Sequence, residues 1–555
     1  MRFDICPRLK AYTQGAGECL LPELKVFVIG DGSLFVRSLR IFLPDAGIRE
    51  VSYDEANIRV SVSPTYSGYN EYCFGRVTDR SVELHCRDNA GARNAAAILA
   101  QLARKTETGY SLPMGTFEDW PDAQYRAFMV ESSGRVWIPM ETILRYIREM
   151  ALCRMNVLQF HFMEDPGCTV PLESVPDFHG GPNGEKFTRQ EVDEMIVYAA
   201  ELGIRVTPFI EILSHAADFA LVEGLVCPGD DLENLYDVCL GQEKTYDAIE
   251  KVIREVAAIF PDDTIHIGAD EYDMSRVTPK TAYWDQCPHC RKLMEEKGYT
   301  TLRELFLYGI QRINEIVNRA GKVMMMWNAD LHPGHLPETL DRNILVHYYR
   351  YCSDLGREDI YHLHINGYAD EGFSVVNSYY PQTYMDLPEY MSAEKLASWS
   401  YRNDPLVKKA NRAKVPGGCL CAWEEFRHYV RTVPAAIALF ADRLWNAHGD
   451  PVGYEERSYG EALTRVLFDG KLPEGMNIFT CIGDVLPPLD DQKPAHLRMV
   501  FADLATLAET AAALRALAGD DVAQSYAQAI EWVMEEKKQQ TGYTGPQTER
   551  IKFQG

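Results

Sequence analysis

The sequence lacks the features that mark exported or membrane-bound chains. Its first thirty residues hold no signal peptide: the apolar run from Leu20 to Ile29 is broken by Pro22, Glu23 and Lys25, and no small-residue cleavage site follows. No uninterrupted apolar segment approaches the length needed to cross a bilayer. The 14 cysteines show no regular spacing, which fits a reducing compartment better than a disulfide-stapled secreted scaffold. Internal repeats are absent, and so is any low-complexity tract beyond one alanine-rich helix. Basic residues are in deficit, 56 against 81 acidic ones, for a formal net charge of -25. Such a field repels nucleic acid and anionic membranes. A cytoplasmic protein that binds neither is expected.

What is present is ordinary globular composition, 46% hydrophobic and 25% charged over 555 residues. Residues 1–115 read as a small α/β domain. Alternation at Ile58, Val60 and Val62, and again at Val82, Leu84 and Cys86, marks half-buried strands. Asp88 is placed to cap a helix running from Ala90 to Arg104. Phe117 to Gln124, with Trp120-Pro121, reads as a linker.

From Arg126 onward apolar strands alternate with amphipathic helices, the texture of parallel β/α units. Candidate strands lie at Ala127–Glu131, Asn156–Phe162, Arg205–Ile210, Thr264–Gly268, Val323–Trp327, Ile344–His347, Phe373–Asn377 and Gly418–Trp423. Eight is the number that closes a (β/α)8 TIM barrel, so the expected fold class is α/β with the barrel at residues 124–448. Capping boxes at Thr188/Glu191 and Thr301/Glu304 open two of the helices. Residues 449–555 read as mainly helical, with segments from Ala495 to Ala518 and from Val522 to Lys538 whose leucine and alanine faces suit the barrel or a second subunit. A homodimer is compatible with this reading.

The stretch Thr264 to Asp273 organises the chain: a short apolar strand stops at Gly268, and two adjacent carboxylates, Asp270 and Glu271, leave its end. Neighbouring carboxylates split their pKa values, so one can serve as an acid while the other stays ionised, as glycoside hydrolysis requires. A helix cap at Asp270 beside a solvated Glu271 is the simpler alternative. The other strand ends carry polar and aromatic groups of one chemistry. They are Glu131, then His161, Glu164 and Asp165, then Glu211 and His215, then Trp327, then Tyr379, Tyr384 and Asp386, and finally Trp423 and Glu425.

These motifs resemble glycoside hydrolase family 20, the β-N-acetylhexosaminidases, over about Arg126 to Ala447. The most specific piece is His266-Ile267-Gly268-Ala269-Asp270-Glu271, a match to His-x-Gly-x-Asp-Glu. Trp423-Glu-Glu and Ala441-Asp-Arg-Leu-Trp445 support it. The resemblance implies a retaining, substrate-assisted mechanism and a substrate with terminal N-acetylhexosamine, an oligosaccharide or glycoconjugate. It gives Asp270 the task of orienting the 2-acetamido group, Glu271 that of acid and base, and Tyr384 a bond to the acetamido oxygen. Arg126, Asp386 and Glu425 would bind sugar hydroxyls, while Trp327 and Trp423 would wall the acetamido pocket. His215 with Glu164 or Asp165 would form a supporting charge pair, and Glu211 would brace His215 or line the pocket. His161 stays outside the expected site, as a core residue.

Glu131, Phe209-Ile-Glu211, Pro166-Gly-Cys168 and Tyr348-Tyr349 depart from the family pattern and alter the pocket wall. Two other readings use the same residues: a metal-dependent barrel enzyme with Glu211, His215, Asp270 and Glu271 as ligands, and a catalytically silent sugar-binding barrel. In the leading reading no cofactor and no catalytic metal are expected. Outside the site, Cys287-Pro-His-Cys290 is half a zinc site or a redox pair, which Cys227 and Cys239 could complete. Ordinary loop thiols are the simpler expectation.

Overall fold

The computed structural model describes residues 5–164, 166–227, 238–270, 283–328, 331–350, 364–385, 396, 399–403, 406–423 and 433–447, with the isolated positions 512 and 515. The two expected C-terminal helical segments therefore lie outside the described residues, as do Asp165, Glu271, Asp386 and Glu425.

Among the described residues the chain folds around two sheets. The first, of eight strands, is built within residues 11–119. Its helix Asn89–Leu102 is capped as expected, with Asp88 Oδ1 accepting from the Gly91 amide at 2.8 Å. Every residue from Gly91 to Leu102 is buried. The alanines explain this: a helix with small side chains all round can lie close to neighbours on every side. On one side it meets the strands of the first sheet, on another the barrel helix Met140–Leu152. Arg93 Nη2 donates to the Met155 carbonyl at 3.0 Å, and Gln101 Nε2 to the Leu152 carbonyl at 2.8 Å.

The second sheet is the barrel. Its strands are Tyr125–Glu131, Val157–Met163, Arg205–Ile210, Thr264–His266, Val323–Trp327, Leu345–Tyr348, Ser374–Asn377 and Gly417–Ala422, all parallel. The eighth pairs with the seventh at Asn377↔Gly418 and with the first from Gly417↔Tyr125 to Ala422↔Val130, which closes the cylinder. All eight expected strands form, with ends shifted by at most two residues. One further piece, Tyr384–Met385, pairs beside the end of the eighth strand at Tyr384↔Cys421. Both predicted capping boxes form. The strands read as continuous apolar runs because helices cover the outside and side chains fill the inside.

Candidate active site

The barrel interior near the C-terminal strand ends is a layer of flat side chains, one from each of strands two to six. His161 stacks on Phe209 with ring centres 3.9 Å apart, and Phe209 lies 3.9 Å from His266. Trp327 lies 5.0 Å from His266 and stacks on His347 at 4.0 Å. Each alternates inward along its strand, so the register delivers one ring per strand to the same level.

Hydrogen bonds set the tautomers in this layer. The Gly268 amide donates to His266 Nδ1 at 3.0 Å, so the proton sits on Nε2, which faces His347 Nδ1 at 3.1 Å. His347 Nε2 then donates to the Ser378 hydroxyl at 2.7 Å, and Ser378 donates to the Cys419 carbonyl at 2.8 Å. Burial holds both histidines well below their ordinary pKa and therefore uncharged. His161 is likewise pushed down by burial, to about 4, against the opposing pull of Glu164.

Asp270 enters above this floor through a forced turn. Gly268 and Ala269 both adopt left-handed backbone, φ 64° and 63°. Ala269 pays a steric cost there, the kind of strain that collects at functional sites. The Trp327 amide donates to the Gly268 carbonyl at 3.0 Å, and the Ala269 amide to Glu211 Oε2 at 3.2 Å. Glu211 is completely enclosed. Burial raises its pKa well above the ordinary value, and the nearby Asp270 and Glu164 carboxylates raise it further. It is thus a neutral acid that clamps the turn bearing Asp270.

A second group stands beside it. Arg135 Nη2 lies 2.7 Å from both Glu164 Oε1 and His215 Nδ1, and His215 Nδ1 lies 3.0 Å from the same Glu164 oxygen. His161 Nε2 is 3.5 Å from Glu164 Oε2. Burial would push the Glu164 carboxyl up, but Arg135 and His215 outweigh it and hold the group down at about 2. Of the two partners offered for His215, Glu164 is the one the described residues place there. His215 also has a left-handed backbone, φ 46°.

The aromatic wall assembles as a group. Trp327 lies 5.1 Å from Tyr349, 6.2 Å from Tyr384 and 5.8 Å from Trp423, while Tyr384 and Trp423 are 5.7 Å apart. Trp327 is fully buried within this cluster, and Trp423 is its half-buried member. The sixth-strand departure resolves into two roles: Tyr349 joins the cluster, whereas Tyr348 packs on Tyr368 and Tyr379.

Arg126 requires a correction. It stands at the N-terminal end of the first strand, the opposite end from the site, and is fully buried. Its guanidinium bonds Glu71 Oε2 at 2.6 Å, the Ala123 carbonyl at 2.7 Å and the Arg154 carbonyl at 2.9 Å. It joins the barrel floor to the first sheet and does not grip a sugar. Arg135, four residues past the end of the same strand, stands at the mouth instead. Sequence reasoning missed it, although it follows the strand-terminal carboxylate Glu131, whose Oε1 accepts from Ser133 at 2.6 Å. His347 and Ser378 were missed as well, and Tyr349 was marked only as a departure from the family pattern in the pocket wall. His161, assigned to the core, contacts both Glu164 and Trp423.

The ligand set of the metal-dependent alternative does not form among the described residues. His215 turns to Glu164 and Arg135, and Glu211 turns to the Ala269 amide. Asp386, Glu425, Glu271 and Asp165 lie outside the described residues.

Known proteins agree with this architecture. Residues 124–448 match the glycosyl hydrolase family 20 catalytic domain. A beta-hexosaminidase of Vibrio furnissii is 28% identical over 395 residues, covering 64% of this chain; the chain spans 60% of that relative's length. A Vibrio harveyi GH20 exo beta-N-acetylglucosaminidase, solved in complex with N-acetylglucosamine, superposes with a TM-score of 0.71 at 20% identity, over 84% of this chain and 77% of its own. The beta-N-acetylhexosaminidase of Bacteroides fragilis superposes with a TM-score of 0.70 at 23% identity, over 84% and 96%. At such identities the solved structures speak for the (β/α)8 fold. The match to the catalytic domain covers more than half of the sequence, and the chain belongs to glycosyl hydrolase family 20, a family of glycoside hydrolases.

Proposed function

We propose that the protein is an exo-acting β-N-acetylhexosaminidase that releases terminal N-acetylhexosamine with retention, through an oxazolinium intermediate. The observation that carries this reading is a strained turn before Asp270 that is hydrogen-bonded to Trp327, which itself packs with Tyr384 and Trp423. An aromatic pocket suits an N-acetyl methyl and the apolar face of a pyranose.

In the first step the 2-acetamido carbonyl oxygen attacks the anomeric carbon as the glycosidic bond breaks. The bonding pair leaves on the aglycone oxygen, which takes the proton of Glu271, the residue after Asp270. Asp270 holds the acetamido N–H and balances the charge of the oxazolinium, while the Tyr384 hydroxyl donates to the acetamido oxygen. In the second step water attacks the anomeric carbon, gives its proton to Glu271 and reopens the ring. Two inversions leave the β-configuration. Arg135 offers guanidinium N–H groups for sugar hydroxyls at this mouth, with Glu164 and His215 holding its orientation. The neutral floor of His266 and His347 leaves the negative charge of Asp270 free to act on the intermediate.

The test is release of nitrophenol from matched β-N-acetylglucosaminide, β-N-acetylgalactosaminide and plain β-glucoside by wild type, Asp270→Asn and Glu271→Gln. Turnover confined to the N-acetyl sugars, with a β-anomer as first product by NMR and loss in both variants, supports the mechanism. Binding of N-acetylhexosamine without turnover of any substrate would favour the silent sugar-binding barrel instead. A cytoplasmic site of action belongs to the same proposal: all 12 described cysteines are buried and free of disulfides. Cell fractionation tests it, and recovery outside the cytoplasm would refute it.

A further inference from the structure

Four cysteines from three separate pieces of chain meet at one point beside the barrel. Cys227 lies in the connection that follows the third strand, and Cys239 further along it; Cys287 and Cys290 lie in the connection that follows the fourth. All four are buried, and their sulfurs lie within 4.8 Å of one another. The Cys239–Cys287 distance is 3.6 Å, and Cys227–Cys290 and Cys239–Cys290 are each 3.9 Å. A tetrahedral zinc ion with Zn–S bonds of about 2.3 Å holds its sulfurs about 3.8 Å apart. Disulfide sulfurs sit at about 2.05 Å, so no pair here is bonded.

The backbone around the cluster is fitted to this convergence. Cys287 is the N-cap of the helix Pro288–Lys297, with proline in the first turn, and Cys290 is its third helical residue. Both sulfurs thus gather at the positive end of a helix, which favours thiolates. The opposite segment is pinned by an antiparallel bridge, Val226↔Val238, and by the Cys239 amide donating to the Leu225 carbonyl at 2.7 Å. It presses on the helix start so closely that a Cβ on Gly241 would lie 2.3 Å from the His289 carbonyl carbon and 2.5 Å from the Cys290 amide nitrogen. Trp284, fully buried, locks the two segments together through Nε1 donating to the Val238 carbonyl at 3.0 Å.

We propose that Cys227, Cys239, Cys287 and Cys290 bind one structural zinc ion as a closed tetrathiolate site. Four ligands leave no open coordination position, so the ion takes no part in the chemistry. Its task is to staple the connection after the third strand to the connection after the fourth. The second of these carries Asp270 and Glu271 near its start, so the ion anchors its far end.

The test uses the untagged full-length wild-type protein. Metal analysis should find one zinc per chain, and titration with an organomercurial should release that zinc into a chromogenic indicator as four thiols react. Exchange for cobalt should give the tetrahedral d–d absorption and the thiolate charge-transfer bands of a four-sulfur site. Cys227→Ser and Cys290→Ser should each lose the zinc, with a fall in Tm of roughly 5–10 °C. If the variants do not fold, the wild-type zinc content and cobalt spectrum still decide. Protein that carries no zinc after refolding with the ion, with these four thiols free or paired as disulfides in peptide mass spectra, would overturn the proposal. A cobalt spectrum lacking thiolate charge transfer would do the same.

Discussion

A Cβ on Gly268 would lie 1.7 Å from Glu211 Oε2 and 1.9 Å from the carboxyl carbon of that residue. The end of the fourth strand and the enclosed acid of the third are therefore built against each other, with the Ala269 amide bonded to the same oxygen. The turn that aims Asp270 exists because a glycine leaves room for a carboxyl group.

Gly268→Ala should be damaging on two counts, the left-handed φ of 64° and the overlap with Glu211. We expect a loss of stability on the order of 2 kcal/mol. We also expect kcat/KM to fall by at least about tenfold, since a displacement near 1 Å is costly in catalysis. Chemical denaturation and steady-state kinetics measure both. An alanine variant with wild-type kinetics would show that the turn does not position Asp270.

The two arginines should separate cleanly. Arg126→Met removes the partner of Glu71 from a buried ion pair and should destabilise the protein by about 3–5 kcal/mol. The KM of the folded fraction should not change. Arg135→Met should cost only about 1–2 kcal/mol, because His215 still faces Glu164, yet should lower kcat/KM more than about tenfold. Urea midpoints set beside Michaelis parameters decide it; a KM defect in the Arg126 variant would restore that residue to the site.

Acid should destabilise the fold in two overlapping steps. His161 has its folded pKa lowered from 6.5 to about 4, so its contribution is full above pH 6.5 and is lost as pH falls through 4. Burial shifts His266 and His347 in the same direction. Glu164 is lowered from 4.5 to about 2, so its contribution is lost between those values. His161 and Glu164 are each worth roughly 3 kcal/mol in the acid limit, at about 1.4 kcal/mol per unit. The stability of the wild type relative to His161→Gln, each followed by urea unfolding, should decline from pH 6.5 downward. Buried Glu211 and Glu149, whose pKa values are raised, give the opposite slope in both proteins, so equal slopes in wild type and His161→Gln between pH 7 and 4.5 would contradict a neutral, buried His161.

The aromatic cluster predicts how the substrate is read. Tyr384→Phe removes one hydroxyl and leaves the ring contacts to Trp327 and Trp423, so kcat/KM for N-acetyl substrates should drop by roughly a hundredfold. Tyr349→Trp enlarges a ring that stacks on Tyr384 with centres 6.0 Å apart. It should lower turnover of N-propionyl relative to N-acetyl substrate, a ratio read from parallel assays. An unchanged ratio would place Tyr349 outside the acyl pocket.

Much of this molecule could be read from the sequence because the signals are local. Strand periodicity, the capping boxes at Thr188 and Thr301, the cap at Asp88 and the Gly268 turn before Asp270 depend on neighbours a few residues away. Tertiary structure decided what distance in sequence hides. Arg126 and Arg135 flank one strand at its two ends. Only barrel closure and the first sheet show that the former meets Glu71 and the latter meets Glu164 and His215. The chain from His266 through His347 to Ser378 joins three strands whose histidines and serine look like ordinary core residues. Sequence offered Cys227 and Cys239 only as candidates to complete the Cys287/Cys290 pair, and the fold brings all four together. Sequence specifies which groups each strand end presents, since the pleat alternates them in and out. Which groups meet is set by closure of the cylinder, where eight strand ends far apart in the chain share one small volume.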